Sequence, residues 1–311
     1  MSEIMAAEEL IIDQLRAALP GALVRADEPL AKRTTLRAGG RAEVYVEPSG
    51  EDDLARVVQI CREREAPMML LGRGSNMLIR DGGIRGVVVC LAHASFCGIE
   101  VYGRQMRCGA GAKLKEVSVR AREAGLTGLE FLEGIPGSVG GALRMNAGAM
   151  GSATFGVVTQ VRFMDELGQL RELSAAGMTP GYRTCPLLKN GIALAATFRG
   201  EPAAREIIAA RSEEYNQRRW RSQPKEPSAG CIFKNPSSAL SAGQLIDQAG
   251  LKDARVGGAS VSPVHANFII NDGTATARDI LELIEMIQSR VKTARGIELE
   301  TEVQIVGEEV S

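Results

Sequence analysis

Apolar positions along this chain recur with two periods, and the switches between them mark the elements. Ile11, Ile12, Leu15 and Leu19 repeat at helical spacing within residues 6–19, and Pro20-Gly21 ends the run. Leu54, Val57, Val58 and Cys61 form a second helical face, and Ser49 followed by Asp52 supplies an N-cap signature for it. Residues 43–46 between them read as a strand, reached through Thr34-Thr35-Leu36-Arg37-Ala38-Gly39-Gly40. The short apolar run 68–71 predicts a buried strand that delivers the chain into Gly72-Arg73-Gly74-Ser75-Asn76. Residues 87–91 predict another strand, 99–102 with 106–108 a hairpin, and 112–124 a helix. Further on come a strand at 192–198 and a helix over 203–220 carrying Ile207, Ile208, Arg211 and Tyr215. Residues 243–250 then read as a helix and 264–271 as a strand. Thr276 with Asp279 caps a last helix bearing Ile280, Leu283, Ile284, Ile287 and Val291, and Gly296 stops it. Residues 299–303 alternate as a strand, with Glu302 at a polar position.

At ~100–200 residues per domain, 311 residues predict two or three domains, each able to bury its own core. Lys plus Arg at 37 against Asp plus Glu at 38 leaves no global field toward nucleic acid or anionic membrane, so an anionic ligand must be held locally. Glu3, Glu8 and Glu9 stand where an export signal needs a basic flank and an apolar core. No apolar run approaches the ~20 residues of a membrane span, so a cytoplasmic protein is expected. The six cysteines show no CxxC spacing and read mostly as small buried hydrophobes of a reducing compartment. With two histidines and scattered cysteines, no metal site is expected.

Two glycine runs carry the candidate chemistry. Leu129 to Gly151 reads LEFLEGIPGSVGGALRMNAGAMG, a backbone able to turn sharply and bring N–H groups against a ligand. It suits a phosphate cradle, and taken alone it suits a pair of tight turns as well. Gly72-Arg73-Gly74-Ser75-Asn76 follows a strand, where ligands bind in α/β sheets. Neither run is a GxGxxG that opens a helix, which disfavours a Rossmann domain. Two loops fed by separate strand–helix units could grip one extended cofactor.

Leu71-Gly72-Arg73-Gly74-Ser75-Asn76 and Gly134-Ile135-Pro136-Gly137-Ser138-Val139-Gly140-Gly141 with Asn146-Ala147-Gly148 resemble the flavin-binding signatures of the UDP-N-acetylenolpyruvoylglucosamine reductase (MurB) family. The resemblance continues through Gly181-Tyr182-Arg183 and Pro227-Ser228-Ala229-Gly230-Cys231-Ile232-Phe233-Lys234-Asn235-Pro236 to Leu299-Glu300-Thr301-Glu302-Val303, five motifs in the family's order. It implies an α+β chain with an FAD-binding fold of vanillyl-alcohol oxidase (PCMH) type, made of two α/β subdomains, and a C-terminal α/β substrate-binding domain. The expected boundaries are 1–90, completed by 299–311, for the first FAD-binding subdomain, 91–218 for the second and 219–298 for the substrate domain. Only a short segment separates Arg183 from the strand at 192–198, as in the shorter subclass that lacks a substrate-covering loop.

The resemblance implies non-covalent FAD, NADPH as co-substrate, and reduction of UDP-N-acetylglucosamine enolpyruvate to UDP-N-acetylmuramate for peptidoglycan synthesis. Gly72, Arg73, Gly74, Ser75, Asn76, Ile135, Pro136, Gly137, Ser138, Gly141, Asn146, Ala147 and Gly148 are then cofactor-binding. Arg183 matches the arginine that stabilises the enolate, and Glu302 the acidic residue at the same centre. On their own these two read equally as a surface ion-pair partner and a solvated strand glutamate. Cys231 stands where most of the family has a proton-donating serine, and a thiol is the better acid. Lys234 and Asn235 match family positions that touch the nucleotide part of the substrate, and Tyr182 a tyrosine lining the same cleft. Arg221 belongs to a run of four cations, Arg218, Arg219, Arg221 and Lys225, that suits a diphosphate or a solvated helix end. His265 is either a pocket residue or a structural histidine. The alternatives are a nucleotide-binding module with no chemistry, and another FAD-dependent oxidase or dehydrogenase of this fold acting on a small alcohol, lactone or hydroxy acid. Histidyl tethering, common in that group, finds only His93 and His265 here, neither in a glycine loop.

Overall fold

The first apolar stripe forms a helix over 11–18, with Ile11, Ile12, Leu15 and Leu19 buried. The part of that expectation resting on residues 6–10 lies outside residues 11–237 and 239–310, which this computed structural model describes. The chain divides into two compact units. One comprises residues up to Ala26, Val44–Arg73 and Gly86–Arg218; the other comprises Asp27–Glu43, Gly74–Arg85 and the chain from Arg219 onward.

The first unit holds two hydrophobic cores. One lies under a four-stranded sheet with the order Leu23–Pro29, Arg41–Glu47, Ile84–Val89, Met68–Leu70, in which the last two strands pair in parallel. The helix Glu51–Glu63 contributes Leu54, Val57, Val58, Ile60 and Cys61 to this core. Its N-cap is Gly50, not Ser49; the Ser49 amide and hydroxyl both bond the Asp53 carboxylate instead. Three acidic residues, Glu51, Asp52 and Asp53, already complement the positive end of this helix. The strand expected at 87–91 begins earlier because Gly86 continues the strand with φ +79, where a Cβ would sit 2.2 Å from the Pro67 carbonyl. Only glycine permits that approach.

The other core of this unit lies against a five-stranded antiparallel sheet, ordered Leu170–Ser174, Val158–Met164, Ile192–Arg199, Gln105–Gly109, Ile99–Tyr102. The hairpin read at 99–108 is its last pair. Helices Leu114–Glu123 and Val139–Met145 supply Leu114, Val117, Ala121, Val139, Ala142 and Leu143 to the same core.

In the second unit a four-stranded antiparallel sheet runs Ser228–Cys231, Phe268–Asn271, Ala259–Val261, Arg255–Val256. Met77–Ile79 and Gln304–Val306 form a separate parallel pair. The helix Ala277–Arg295 starts with the capping box Thr276/Asp279 and ends at Gly296 with φ +68, as the sequence indicates. Its first amides, of Ala277 and Arg278, also donate to the Asp81 carboxylate at 2.9 Å each. Two expectations fail here. Residues 264–267 are a turn, not strand, since Ser262 Oγ accepts from the amides of Val264 and His265 and His265 Nδ1 accepts from Asn267. Residues 299–303 pair only by one bridge between Thr301 and Phe233, and the strand lies beyond them at Gln304–Val306. Among the described residues no helix is long and apolar enough to cross a membrane.

Leu283 is fully buried on the last helix, whereas Met286 on the same helix is 36% exposed. Leu283→Ala is expected to destabilise the protein by about 2–5 kcal/mol, and Met286→Ala by within about 0.5 kcal/mol. Urea unfolding of the two variants side by side tests this contrast.

Candidate functional site

The central glycine stretch is neither a plain loop nor a pair of turns. A 3-10 helix, Glu130–Gly134, leads into Ile135-Pro136-Gly137, and the helix Val139–Met145 opens directly afterwards. Backbone bonds fix this entry: Leu114 N donates to Gly137 O at 3.1 Å, Val139 N to Ala112 O at 2.9 Å and Gly140 N to Ala110 O at 2.8 Å. Within the first unit, a Cβ on Gly72 would lie 3.2 Å from Ser138 Oγ, so the backbone at Gly72 comes close to that serine. Among the described residues no acceptor meets the amides of Gly72, Arg73, Gly74, Ser75 or Asn76. Such orphan donors belong at a surface that receives an anion or water. Gly74 has φ +58, and a Cβ there would stand 2.5 Å from Arg33 O and 2.7 Å from the Thr34 Cα.

Asn146 closes the short helix in the left-handed conformation, φ 40 and ψ 52. Its Nδ2 donates to Gly181 O at 3.0 Å and its Oδ1 accepts from Phe155 N at 3.2 Å. Ala147 O accepts from both the amide and the hydroxyl of Thr154, and Gly148 starts a two-stranded ribbon with Ser152–Ala153. Gly181 and Thr184 bracket a tight turn made of Tyr182 and Arg183. Arg183 has φ 56, and its guanidinium carbon lies 5.3 Å from the centre of the exposed Tyr182 ring. Stacking of this kind limits the directions the guanidinium takes.

In the second unit the strand Ser228–Cys231 carries a bulge: Ser228 pairs with Ile270 but Cys231 with Phe268, and Gly230 between them has φ +76. A bulge of this type re-aims the side chain that follows it. Thr35 Oγ1 holds the strand's start through Ser228 O at 2.7 Å, and the Thr35 amide holds Gly74 O at 3.2 Å. Beyond Cys231, the Ile232 carbonyl accepts from the amides of Glu302 at 2.7 Å and Val303 at 3.3 Å. Asn76 Nδ2 donates to Glu302 O at 3.2 Å, and Asn76 O accepts from Gln304 N at 3.0 Å. The backbone next to Cys231, the backbone of Glu302 and the end of the first glycine run therefore form one fastened group. Lys234 is paired with Glu300. Asn235 Oδ1 accepts from Ala242 N at 3.1 Å, at the start of the helix Ala242–Gln248.

The run of arginines sits on a helix that extends to Ser222, two residues past its expected end. Arg221 is exposed in its last turn, while Arg219 is partly buried and bonded to Gln223 Oε1 at 3.0 Å, with its pKa lowered by burial. His265 packs at a 60° tilt against Phe268, ring centres 4.9 Å apart, and caps its own turn through Nδ1, so it is a structural histidine. Burial lowers its pKa, with a smaller contribution from Lys252. Of the cysteines, burial pushes Cys61 up to about 11 and Cys108 up to about 12, and raises Cys185, so these thiols are inert. Cys231 is only partly buried.

Asn267 is the residue the sequence reading missed. It is 3% exposed, its Oδ1 accepts from Phe233 N at 2.9 Å and its Nδ2 donates to Phe233 O at 2.8 Å, while its own carbonyl accepts from Ile232 N. A polar residue directly ahead of the apolar run Phe268-Ile269-Ile270 was the available signal.

Residues 42–174 match the family model described as FAD binding domain, and 223–306 match that of the UDP-N-acetylenolpyruvoylglucosamine reductase C-terminal domain. A UDP-N-acetylenolpyruvoylglucosamine reductase of Geobacter metallireducens is 45% identical over 95% of this chain and 98% of its own length. The chain belongs to the UDP-N-acetylenolpyruvoylglucosamine reductase (MurB) family. A Clostridium botulinum member is 42% identical over 92% of this chain and 94% of its own. The crystal structure of the Thermus caldophilus MurB superposes with a TM-score of 0.80 at 36% identity, covering 91% of this chain and 99% of that one. The protein is thus an FAD-dependent oxidoreductase, a flavoprotein of mixed α+β fold with an FAD-binding domain and the family's C-terminal domain.

The residues present fit FAD. The amides of Gly74 to Asn76 meet no acceptor among the described residues and suit an anionic group, and a Cβ at Gly74 would crowd the Arg33 and Thr34 backbone beside them. Gly74→Ala is expected to purify with less than half the flavin of the parent, read from the ratio of visible to ultraviolet absorbance. The pH dependence of stability has a definite sign at His265. Its folded pKa lies below its ordinary value, so its contribution is full above that value and is lost as pH falls through the folded pKa. The urea midpoint is therefore expected to fall between pH 7.5 and pH 5, and to fall less in His265→Gln.

Proposed function

We propose that this chain reduces UDP-N-acetylglucosamine enolpyruvate to UDP-N-acetylmuramate with NADPH as electron source, as a cytoplasmic step of peptidoglycan precursor synthesis. FAD, when bound, supplies the hydride that adds to the terminal carbon of the enolpyruvyl group. The remaining work falls to side chains of this chain. Arg183 lies against the enolate and carboxylate, where a planar guanidinium matches the delocalised charge. The Cys231 thiol gives its proton to the carbon next to the carboxylate, turning the enolpyruvyl ether into a lactyl ether, and the thiolate left behind regains a proton from solvent. A thiol is acidic enough, with an ordinary pKa near 8.5, to do this without a partner base. Glu302 orients the reacting group, Tyr182, Lys234 and Asn235 hold the nucleotide, and Arg221 its diphosphate.

The observation that carries this reading is likeness over nearly the whole length of a relative with that name, 98% of it, together with the bulge at Gly230 that turns Cys231 out of register. General acid catalysis contributes about 10²–10⁴-fold. In stopped flow, Cys231→Ala is therefore expected to let NADPH bleach the flavin normally while reoxidation by the enolpyruvyl sugar slows by about that factor. Cys231→Ser should keep much of the rate. Reoxidation of the alanine variant at the parent's rate removes Cys231 from the mechanism.

A further inference from the structure

We infer that Asn146 is a positioning residue for Arg183, not a flavin contact made through its side chain; the inference rests on the role proposed above for Arg183. Both ends of the Asn146 amide are already committed inside the protein, Nδ2 to Gly181 O at 3.0 Å and Oδ1 to Phe155 N at 3.2 Å. Gly181 is the residue from which the Tyr182-Arg183 turn departs, and its amide and carbonyl close that turn onto Thr184 at 2.9 and 3.5 Å.

The turn needs holding. Arg183 has φ 56, a left-handed conformation that is unfavourable for a residue with a Cβ and persists only where surrounding contacts impose it. The longer of the two closing bonds, from Thr184 to Gly181 O, is weak at 3.5 Å. The bond from Asn146 to the same carbonyl is the shorter one, and it comes from a fixed point at the end of the helix Val139–Met145. Asparagine suits this point twice over, because it tolerates the left-handed φ of 40 and because it presents a donor and an acceptor together. An aspartate keeps the acceptor for Phe155 N but has no donor for Gly181 O.

Asn146→Asp therefore isolates the bond. Hydrogen exchange of the peptide spanning residues 180–185 in flavin-free protein is expected to speed up about tenfold relative to the parent, the equivalent of a bond worth about 1.4 kcal/mol. The flavin-loaded variant is expected to retain its FAD. After photochemical reduction, its reoxidation by the enolpyruvyl sugar should slow by about ten- to a hundredfold. The double variant with Arg183→Ala should be no slower than Arg183→Ala alone, since the two residues act through one geometry. Unchanged exchange at 180–185, loss of flavin from Asn146→Asp, or slowing that adds in full to that of Arg183→Ala would each overturn the assignment. Faster exchange in Asn146→Asp combined with normal reoxidation in Arg183→Ala would instead leave Asn146 holding the turn and strike down the role proposed for Arg183.

Discussion

The carbonyl oxygen of Ile232 is the point on which the second unit turns. It takes two successive amides, those of Glu302 and Val303, and this double acceptance stops residues 299–303 from forming a ladder. The result is a sharp junction in place of a sheet edge. The same peptide neighbourhood is gripped from the other side by Asn267, whose side chain pairs with Phe233 as a strand would. With the backbone fastened on both sides, the bulge at Gly230 decides where Cys231 points, and neither the cysteine nor Glu302 has freedom to drift along the chain.

Asparagine side chains recur wherever the chain needs such fastening. Asn76 joins the end of the first glycine run to Glu302, and Asn271 reaches Leu36 O at 2.9 Å while accepting from Gly273 and Ala275. In each case a neutral amide satisfies backbone groups that regular structure leaves open, without placing a charge in a buried setting. The cores need no such help. The three apolar clusters are built from helix stripes and strand faces with the usual periods.

That division explains what could be read from the amino-acid order. The last helix, with its capping box and terminal glycine, and the 99–108 hairpin are local patterns and were legible to within a residue or two. The motifs carrying Arg183, Cys231 and Glu302 were legible through their resemblance to a family. Asn267 and Thr35 were not, because their bonds join residues 34 and 193 positions apart and leave no period in the sequence. The strand read at 264–271 begins only at Phe268 because nearby acceptors on Ser262 and His265 turn residues 264–267, and the one read at 299–303 gives way to the distant Ile232 carbonyl. Ser49 shows the converse: a good capping residue that finds a nearby carboxylate and leaves the cap to glycine.

Fastening by asparagine also sets how the protein ages. Slow loss of ammonia, which makes this amino acid a liability in heated proteins, exchanges an NH₂ group for an oxygen. At Asn267 the product would set a carboxylate against the Phe233 carbonyl, two electron-rich oxygens at a spacing of 2.8 Å where a bond had been. The hydrocarbon interior would stay intact, so damaged molecules would remain folded in bulk while losing the local order of the backbone at Ile232 and Phe233.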